Sequence, residues 1–282
     1  MAATPHGRGD DASGPPPLNI RFGSYQVERL LARGGMGELF QATRAGARGF
    51  SKPVAIKRVR PDKLNEPDVV KLFIREAKLA AAFAHPNLLH VFELFEETGQ
   101  LFMVMELLEG ADLATLLARA VKSGFPIPIP CSVAIVAAAA DGLHFAHELR
   151  DEDGQALIAA HRDVTPGNLF LTRTGTVKVL DFGIAQVARK EGAAPTTQLR
   201  GKMGYLTPEH VAGVPLDRRS DVFGLGIVLF ELLSGQRFVP NESLASAVET
   251  LKVSDQHASN NLGGVSTQLR DIVVQALDPN PA

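Results

Sequence analysis

Cysteine is almost missing from this chain. Cys131 is the single one in 282 residues, which excludes an intramolecular disulfide framework and a cysteine-rich zinc site and fits a reducing, cytoplasmic setting. A small buried side chain is the expectation for it. Neither sign of charge dominates: the formal net charge is −2, so there is no general basic field for nucleic acid or an anionic membrane, and any charge that binds phosphate must be local. No run approaches the roughly 18 consecutive apolar residues of a membrane span. The two longest, residues 133–140 and 222–230, stop at Asp141 and Glu231 and read as buried core helices. The first 17 residues are rich in Gly, Pro, Asp and Ala and lack the apolar core of a signal peptide, so residues 1–21 are expected to form a disordered leader. What is present is a hydrophobic fraction of 45%, enough for one large or two medium cores.

Residues 25–59 alternate apolar and polar positions around glycine turns, which predicts a short antiparallel meander. Residues 67–83 carry Val69, Val70, Phe73, Ala77 and Ala80 on one helical face. Two further strands are expected over 88–95 and 100–105, turning at Thr98 and Gly99. After Glu109 and Gly110 the pattern changes to helices, over 113–122 and 132–149. Short strands over 169–172 and 176–180 flank a turn at Thr174 and Gly175, and the polar stretch 254–264 reads as a loop. A small β-rich half with one helix is thus followed by a mainly helical half.

Chemistry concentrates at a few places. Gly34, Gly35 and Gly37 let the backbone approach a ligand such as phosphate, although an ordinary turn would use the same residues. Glu38 to Thr43 continues as a strand, which excludes the helix that a dinucleotide fold would open here. Lys57 ends the apolar run Val54-Ala55-Ile56, and a partly buried ammonium needs a partner. Glu76 on the expected helix is the candidate; taken singly, each would read as a surface charge. His161-Arg162-Asp163, with Asn168 five residues later, puts a carboxylate and an amide on one loop, and Asp181-Phe182-Gly183 follows a strand. One carboxylate can accept a hydroxyl proton, while a second carboxylate and an amide oxygen suit Mg²⁺.

In that order and spacing these segments resemble the eukaryotic-like protein kinase family, and bacterial serine/threonine members best. The resemblance runs from about Phe22 to the end and includes His85-Pro86-Asn87, Met105-Glu106, Thr207-Pro208-Glu209 and Ser220-Asp221-Val222-Phe223-Gly224. It implies a bilobal α+β fold, with a β-rich N-lobe over residues 22–106 and a mostly helical C-lobe over 107–282 cut short before its last helices. It implies transfer of the γ-phosphoryl group of ATP, with Mg²⁺, to protein hydroxyls. By the same resemblance Lys57 holds the α and β phosphates under the loop of Gly34 and Gly37, Glu76 orients Lys57, Asp163 takes the hydroxyl proton, and Asn168 and Asp181 hold magnesium. Adenine is expected between Leu31, Leu39 and Ala55 above and Phe170 below, bonded to the backbone of Glu106 and Leu108, with Asp112 at the ribose. Asp221 would brace the catalytic loop.

Several residues depart from the family pattern. Ala32 replaces a loop glycine and Thr207 an alanine. Thr165 stands where a lysine is usual and Lys202 where a threonine is usual, so the two are expected to have exchanged roles in the catalytic centre. The arginine partner of Glu209 is not reached before Ala282. Thr196 and Thr197 are expected sites of autophosphorylation facing Arg162, with self-association for reaction in trans. A pseudokinase acting as a binding module, and a small-molecule kinase of related fold, are the alternatives. The complete set Lys57, Glu76, Asp163, Asn168 and Asp181 speaks against the first, and Thr207-Pro208-Glu209 with Ser220-Asp221 against the second.

Overall fold

The computed structural model describes residues 20–35, 37–182, 203–240 and 243–279. The N-terminal half is a six-stranded antiparallel sheet of β1 (Ile20–Phe22), β2 (Tyr25–Arg33), β3 (Gly37–Ala45), β4 (Ser51–Val59), β5 (Val91–Glu97) and β6 (Gln100–Glu106). Their spatial order is β1-β2-β3-β4-β6-β5. Ile20 and Arg21, assigned to the leader from sequence, pair with Val27 and Gln26; their short segment is held by the hairpin turn at Gly23, which has a positive φ.

Strand periodicity of two decides which side chains meet which layer. Val54 and Ile56 join Phe22, Val27, Phe40, Phe102 and Val104 on one face. Ala55 and Val59 join Met103 and Met105 on the other, where α1 (Pro67–Ala81) lays Phe73 and Ala77 across the sheet. Lys57 lies between Ile56 and Arg58, so alternation alone aims it at α1. Pro67 in the first turn of α1 costs no hydrogen bond, because that N–H has no intrahelical partner anyway.

The second half is built on α5 (Arg218–Ser234), buried along most of its length, with α3 (Ile129–Glu148) across it. Around them lie α2 (Leu113–Ser123), α4 (Pro208–Ala212), α6 (Leu244–Leu251), α7 (Ser254–Asn261) and α8 (Thr267–Ala276). A small antiparallel sheet of β7 (Gly110–Asp112), β8 (Leu169–Thr172) and β9 (Val177–Val179) lies between the halves. Gly110 is required there: its φ is +155° and a Cβ would come within 2.1 Å of the Leu171 carbonyl oxygen.

Three sequence expectations are corrected. Residues 254–261 form α7 rather than a loop. Their weak helix propensity is overridden by packing: Ser254 is buried and donates to the Leu277 carbonyl at 2.6 Å, and His257 lies against Phe230 and Phe238. Cys131 is exposed, on the outward side of the first turn of α3. The run 133–140 is buried only in part, since Ile135, Val136 and Ala139 face the core while Val133 and Ala137 face outward. By length and composition α3 is apolar enough to cross a membrane, but Ile135, Ala139, Leu143 and Ala146 belong to the core formed with α5. The Oε2 of Glu209 is buried and has no hydrogen-bond partner among the described residues.

Candidate active site

The side chains singled out from sequence converge where the two halves meet. Lys57 Nζ lies 2.5 Å from Glu76 Oε1 and 3.0 Å from Asp181 Oδ1, so β4, α1 and the end of β9 are joined through one ammonium. Burial pulls the Lys57 pKa down, but the Asp181 and Glu76 carboxylates outweigh it and hold the group charged above its usual range. Lys57 in turn holds Asp181 below the carboxylate range. Glu76 is pushed upward by burial, against the pull of Lys57. Asp181 has a left-handed backbone, φ 42°, and its side chain is 58% exposed, so its free edge faces solvent. Phe182 is buried against Phe83 and His161, with ring centroids 4.6 and 4.5 Å away.

The loop carrying Asp163 hangs from α5. Asp221 accepts the backbone N–H of His161 at 2.6 Å and of Arg162 at 2.9 Å, and its Oδ2 is 2.7 Å from His147 Nε2 on α3. These bonds hold Arg162 at φ 71°, a strained conformation for a residue with a side chain, costing about 1–3 kcal/mol. Gly224 lets α5 approach the loop closely, since a Cβ there would meet Val164 at 2.9 Å. His161 Nδ1 accepts from the Asp163 N–H, so Nε2 carries the proton and donates to the Leu180 carbonyl at 2.9 Å. Asp163 is only 8% exposed. Asn168 Nδ2 donates to both its carbonyl and its Oδ2 at 2.8 Å, which leaves Asn168 Oδ1 for another contact.

Not every candidate is brought to the same point. Leu39 and Ala55 share the α1-facing side of the sheet, Phe170 sits half-buried on β8, and Leu31 and Leu108 are half-buried. Gly34 N donates to Gly37 O at 2.8 Å and closes the glycine turn. Asp112 caps α2: Oδ1 accepts from Thr115 N and Oδ2 from the Thr115 hydroxyl. Thr165 is buried beside this centre. Lys202, Thr196, Thr197 and Gly183 lie outside the described residues.

Two clusters escaped sequence reasoning. Glu38, 3% exposed, takes Arg58 at 2.8 Å and Arg33 at 2.6 Å and fixes the strand that leaves the glycine turn. Burial pushes its pKa up, but the two guanidiniums bring it below the ordinary carboxylate value. Only the strand register could have disclosed this, because Glu38 pairs with Arg33 and Arg58 on either side. Glu106 accepts from Lys178 Nζ at 2.6 Å and from the His90 N–H at 2.8 Å, and Lys178 also reaches the Leu88 carbonyl, tying the last residue of β6 to β9.

His210 on α4 gives a pH prediction. Burial lowers its pKa below the ordinary histidine value despite nearby Glu209, Asp163 and Asp221, and its neutral Nδ1 accepts from the Thr207 N–H. The unfolded chain therefore takes up a proton near pH 6.5 that the folded chain refuses, and stability falls as pH drops below about 6.5. In a thermal melt the fall between pH 7.5 and 5.5 is expected to be smaller for His210→Gln than for the parent, by about 2–4 °C for each kcal/mol of linkage removed. Equal falls would exclude His210 as the source.

The sequence profile described as protein kinase domain matches residues 25–282. The chain belongs to the protein kinase family. This kinase is 43% identical over 235 residues to the tyrosine-protein kinase MasK of Myxococcus xanthus, covering 83% of this chain and 36% of MasK. It is 34% identical over 273 residues to the serine/threonine-protein kinase PknB of Mycobacterium leprae, covering 95% and 41%. To the serine/threonine-protein kinase PrkC of Bacillus subtilis it is 30% identical over 260 residues, covering 92% and 38%. Among solved structures it is similar to the Mycobacterium tuberculosis PknI kinase domain, with a TM-score of 0.63 and 26% identity over 93% of this chain and 91% of the other. The kinase thus spans well under half the length of these curated relatives, and its bilobal α+β architecture is that of the family.

Proposed function

We propose that this kinase transfers the γ-phosphoryl group of Mg-ATP to serine and threonine hydroxyls of proteins. The observation that carries this is the ammonium of Lys57 held between Glu76 and Asp181, beside a buried Asp163 tied to Asn168. Asn168 Oδ1 and the exposed edge of Asp181 are hard oxygen donors of the kind Mg²⁺ takes along with phosphate oxygens and water. Bound there, Mg²⁺ would neutralise phosphate charge. Lys57 positions the phosphates, Glu76 fixes Lys57, and Asp163 accepts or orients the proton of the acceptor hydroxyl. Leu31, Leu39, Ala55 and Phe170 enclose adenine, Glu106 and Leu108 bond it through their backbone, Gly34 and Gly37 cover the phosphates, and Asp112 meets the ribose while capping α2. Use of ATP supports a cytoplasmic location for this domain.

Radiolabelled ATP with a generic protein acceptor tests the reading: label transfer is expected with Mg²⁺ and none with a chelator. Absence of label in every acceptor would leave a nucleotide-binding module without catalysis. A tyrosine acceptor is the second reading, favoured by the 43% identity to the tyrosine-protein kinase MasK; phosphoamino-acid analysis of the product separates the two. Regulation is proposed through Thr196 and Thr197, phosphorylated in trans by a second copy, with Arg162 receiving the phosphate.

Lys202 and Thr165 are proposed to divide the work of the family's lysine and threonine in reverse. Charge on the transferring phosphoryl oxygens needs a positioned cation, and Thr165 cannot supply one. Lys202→Ala is expected to lower kcat about 10²-fold with little change in ATP affinity. Thr165→Lys combined with Lys202→Thr is expected to recover part of that loss. A parental rate in Lys202→Ala would remove Lys202 from the catalytic centre.

A further inference from the structure

Arg33 and Glu38 are the last residues of β2 and β3 to pair before the glycine turn, and Arg58 of β4 pairs with Glu38 from the other side. Residues directly opposite one another across antiparallel strands project from the same face. That face is fixed by Arg58, whose guanidinium lies 5.3 Å from the Phe22 ring and 5.0 Å from the Phe40 ring. Phe22 and Phe40 belong to the side of the sheet away from α1. Glu38 therefore points away from Lys57, which meets Glu76 and Asp181 on the opposite side. It cannot touch a nucleotide bound there.

An apolar side chain could fill this place without the desolvation that a carboxylate costs. Glu38 instead accepts from Arg58 Nε at 2.8 Å through Oε2 and from Arg33 Nη2 at 2.6 Å through Oε1, and Arg58 Nη1 continues to Gln100 Oε1 on β6 at 3.4 Å. The turn beyond this row has little other support among the described residues. The Gly34 N–H bonds the Gly37 carbonyl, and Arg60 Nη1 lies a long 3.5 Å from the Gly34 carbonyl oxygen while the rest of its fork is spent on Asp62. A Cβ at Gly35 would meet nothing within 4 Å. With no packing there, the place of the turn is decided at its base. A Cβ at Gly37 would come within 3.0 Å of the Arg58 carbonyl oxygen, so the base lies tight against β4, the strand that carries Lys57.

We infer that Glu38 is a positioning residue for the nucleotide phosphates: by holding Arg33 and Arg58 in one row, it sets the height of the Gly34 and Gly37 turn over Lys57. This rests on the reading above in which Gly34 and Gly37 cover the phosphates. A turn fixed in advance offers its backbone to phosphate at no further cost, whereas a loose one must be ordered at each binding event, which lowers affinity. Adenine, placed against Leu39 and Ala55 on the α1-facing side, does not depend on the turn. The row therefore acts on the phosphates and spares the base.

Calorimetric titration with Mg-ATP and, separately, with adenosine tests it in the parent, Glu38→Gln, Arg58→Gln, the double variant and Lys57→Met. Glu38→Gln keeps the shape of the side chain and is expected to raise the dissociation constant for Mg-ATP about tenfold, as when charge-assisted bonds that order a loop are lost. The constant for adenosine is expected to stay within about twofold. A merely structural role would move both ligands alike, or the thermal midpoint alone. Arg58→Gln is expected to show the same loss for Mg-ATP only, and the double variant no more than either single change, because members of one network are not additive. Parental Mg-ATP affinity in Glu38→Gln, equal losses for the two ligands, or additive losses overturn the inference. Should Glu38→Gln fail to fold, the exposed Arg33→Gln decides in its place: a loss of about threefold for Mg-ATP only supports the row, and parental affinity overturns it. Lys57→Met separates this from the reading beneath it. Weakened Mg-ATP there beside parental affinity in Glu38→Gln overturns the role of Glu38 alone, whereas parental affinity in both overturns the hold on the phosphates itself.

Discussion

Asp163→Asn is expected to lower kcat by about 10²–10⁴-fold, the range for loss of a positioned proton acceptor, while ATP affinity and the thermal midpoint stay near the parental values. The fold should tolerate the change because the amide keeps the shape of the carboxylate. Its oxygen can still accept from Asn168 Nδ2, as Asp163 Oδ2 does at 2.8 Å, and the second Asn168 bond goes to the Asp163 backbone and is untouched. The His161 contact is also to the backbone. What disappears is basicity toward the acceptor hydroxyl. Single-turnover phosphoryl transfer, with nucleotide binding measured separately, checks this. An undiminished rate would move the proton acceptor elsewhere.

Lys57→Met is expected to be comparably damaging and to differ in kind. The substitution retains the stem along β4 but removes the one cation that joins Glu76 to Asp181. Burial already pushes Glu76 upward, and Asp181 pushes in the same direction. Without the ammonium the two carboxylates face each other, one of them takes up a proton more readily, and the hold of α1 on β9 is lost. Transfer should fall by about 10³-fold or more, as when a group that stabilises phosphoryl charge is removed, and ATP affinity should fall with it. Lys57→Arg is expected to remain impaired, since a planar fork cannot replace a compact ammonium between two carboxylates. Calorimetric ATP titration alongside the rate assay separates this from Asp163→Asn. Parental affinity in Lys57→Met would mean that Lys57 does not hold the phosphates.

Much of the architecture could be read directly from the chain because the relevant signals are local. Alternation through Val54-Ala55-Ile56-Lys57 carries both the strand and the direction in which Lys57 points, and helical spacing of Phe73 and Ala77 carries α1 and so the level of Glu76. The turns at Thr98-Gly99 and Thr174-Gly175 fall where expected, each with positive φ at its glycine. The failures are non-local. Nothing near Ser254 announces the Leu277 carbonyl that its hydroxyl meets twenty-three residues away, and nothing near Cys131 tells which side of α3 faces outward. Glu38 became intelligible only with the register of β2, β3 and β4.

The three bonds to Asp221 also bear on motion. Asp163 sits within a peptide segment referenced to α5, the most deeply buried helix, and through His147 to α3 as well. Lys57 travels with the sheet and α1, and its bond to Asp181 is a contact that must be remade whenever the halves separate. Under the proposed function, opening to admit nucleotide is expected to move the β-rich half relative to Asp163, which is held to α5. On that reading an acceptor protein would dock on the half that holds Asp163 while ATP is exchanged, and the two substrates would be expected to enter and leave independently.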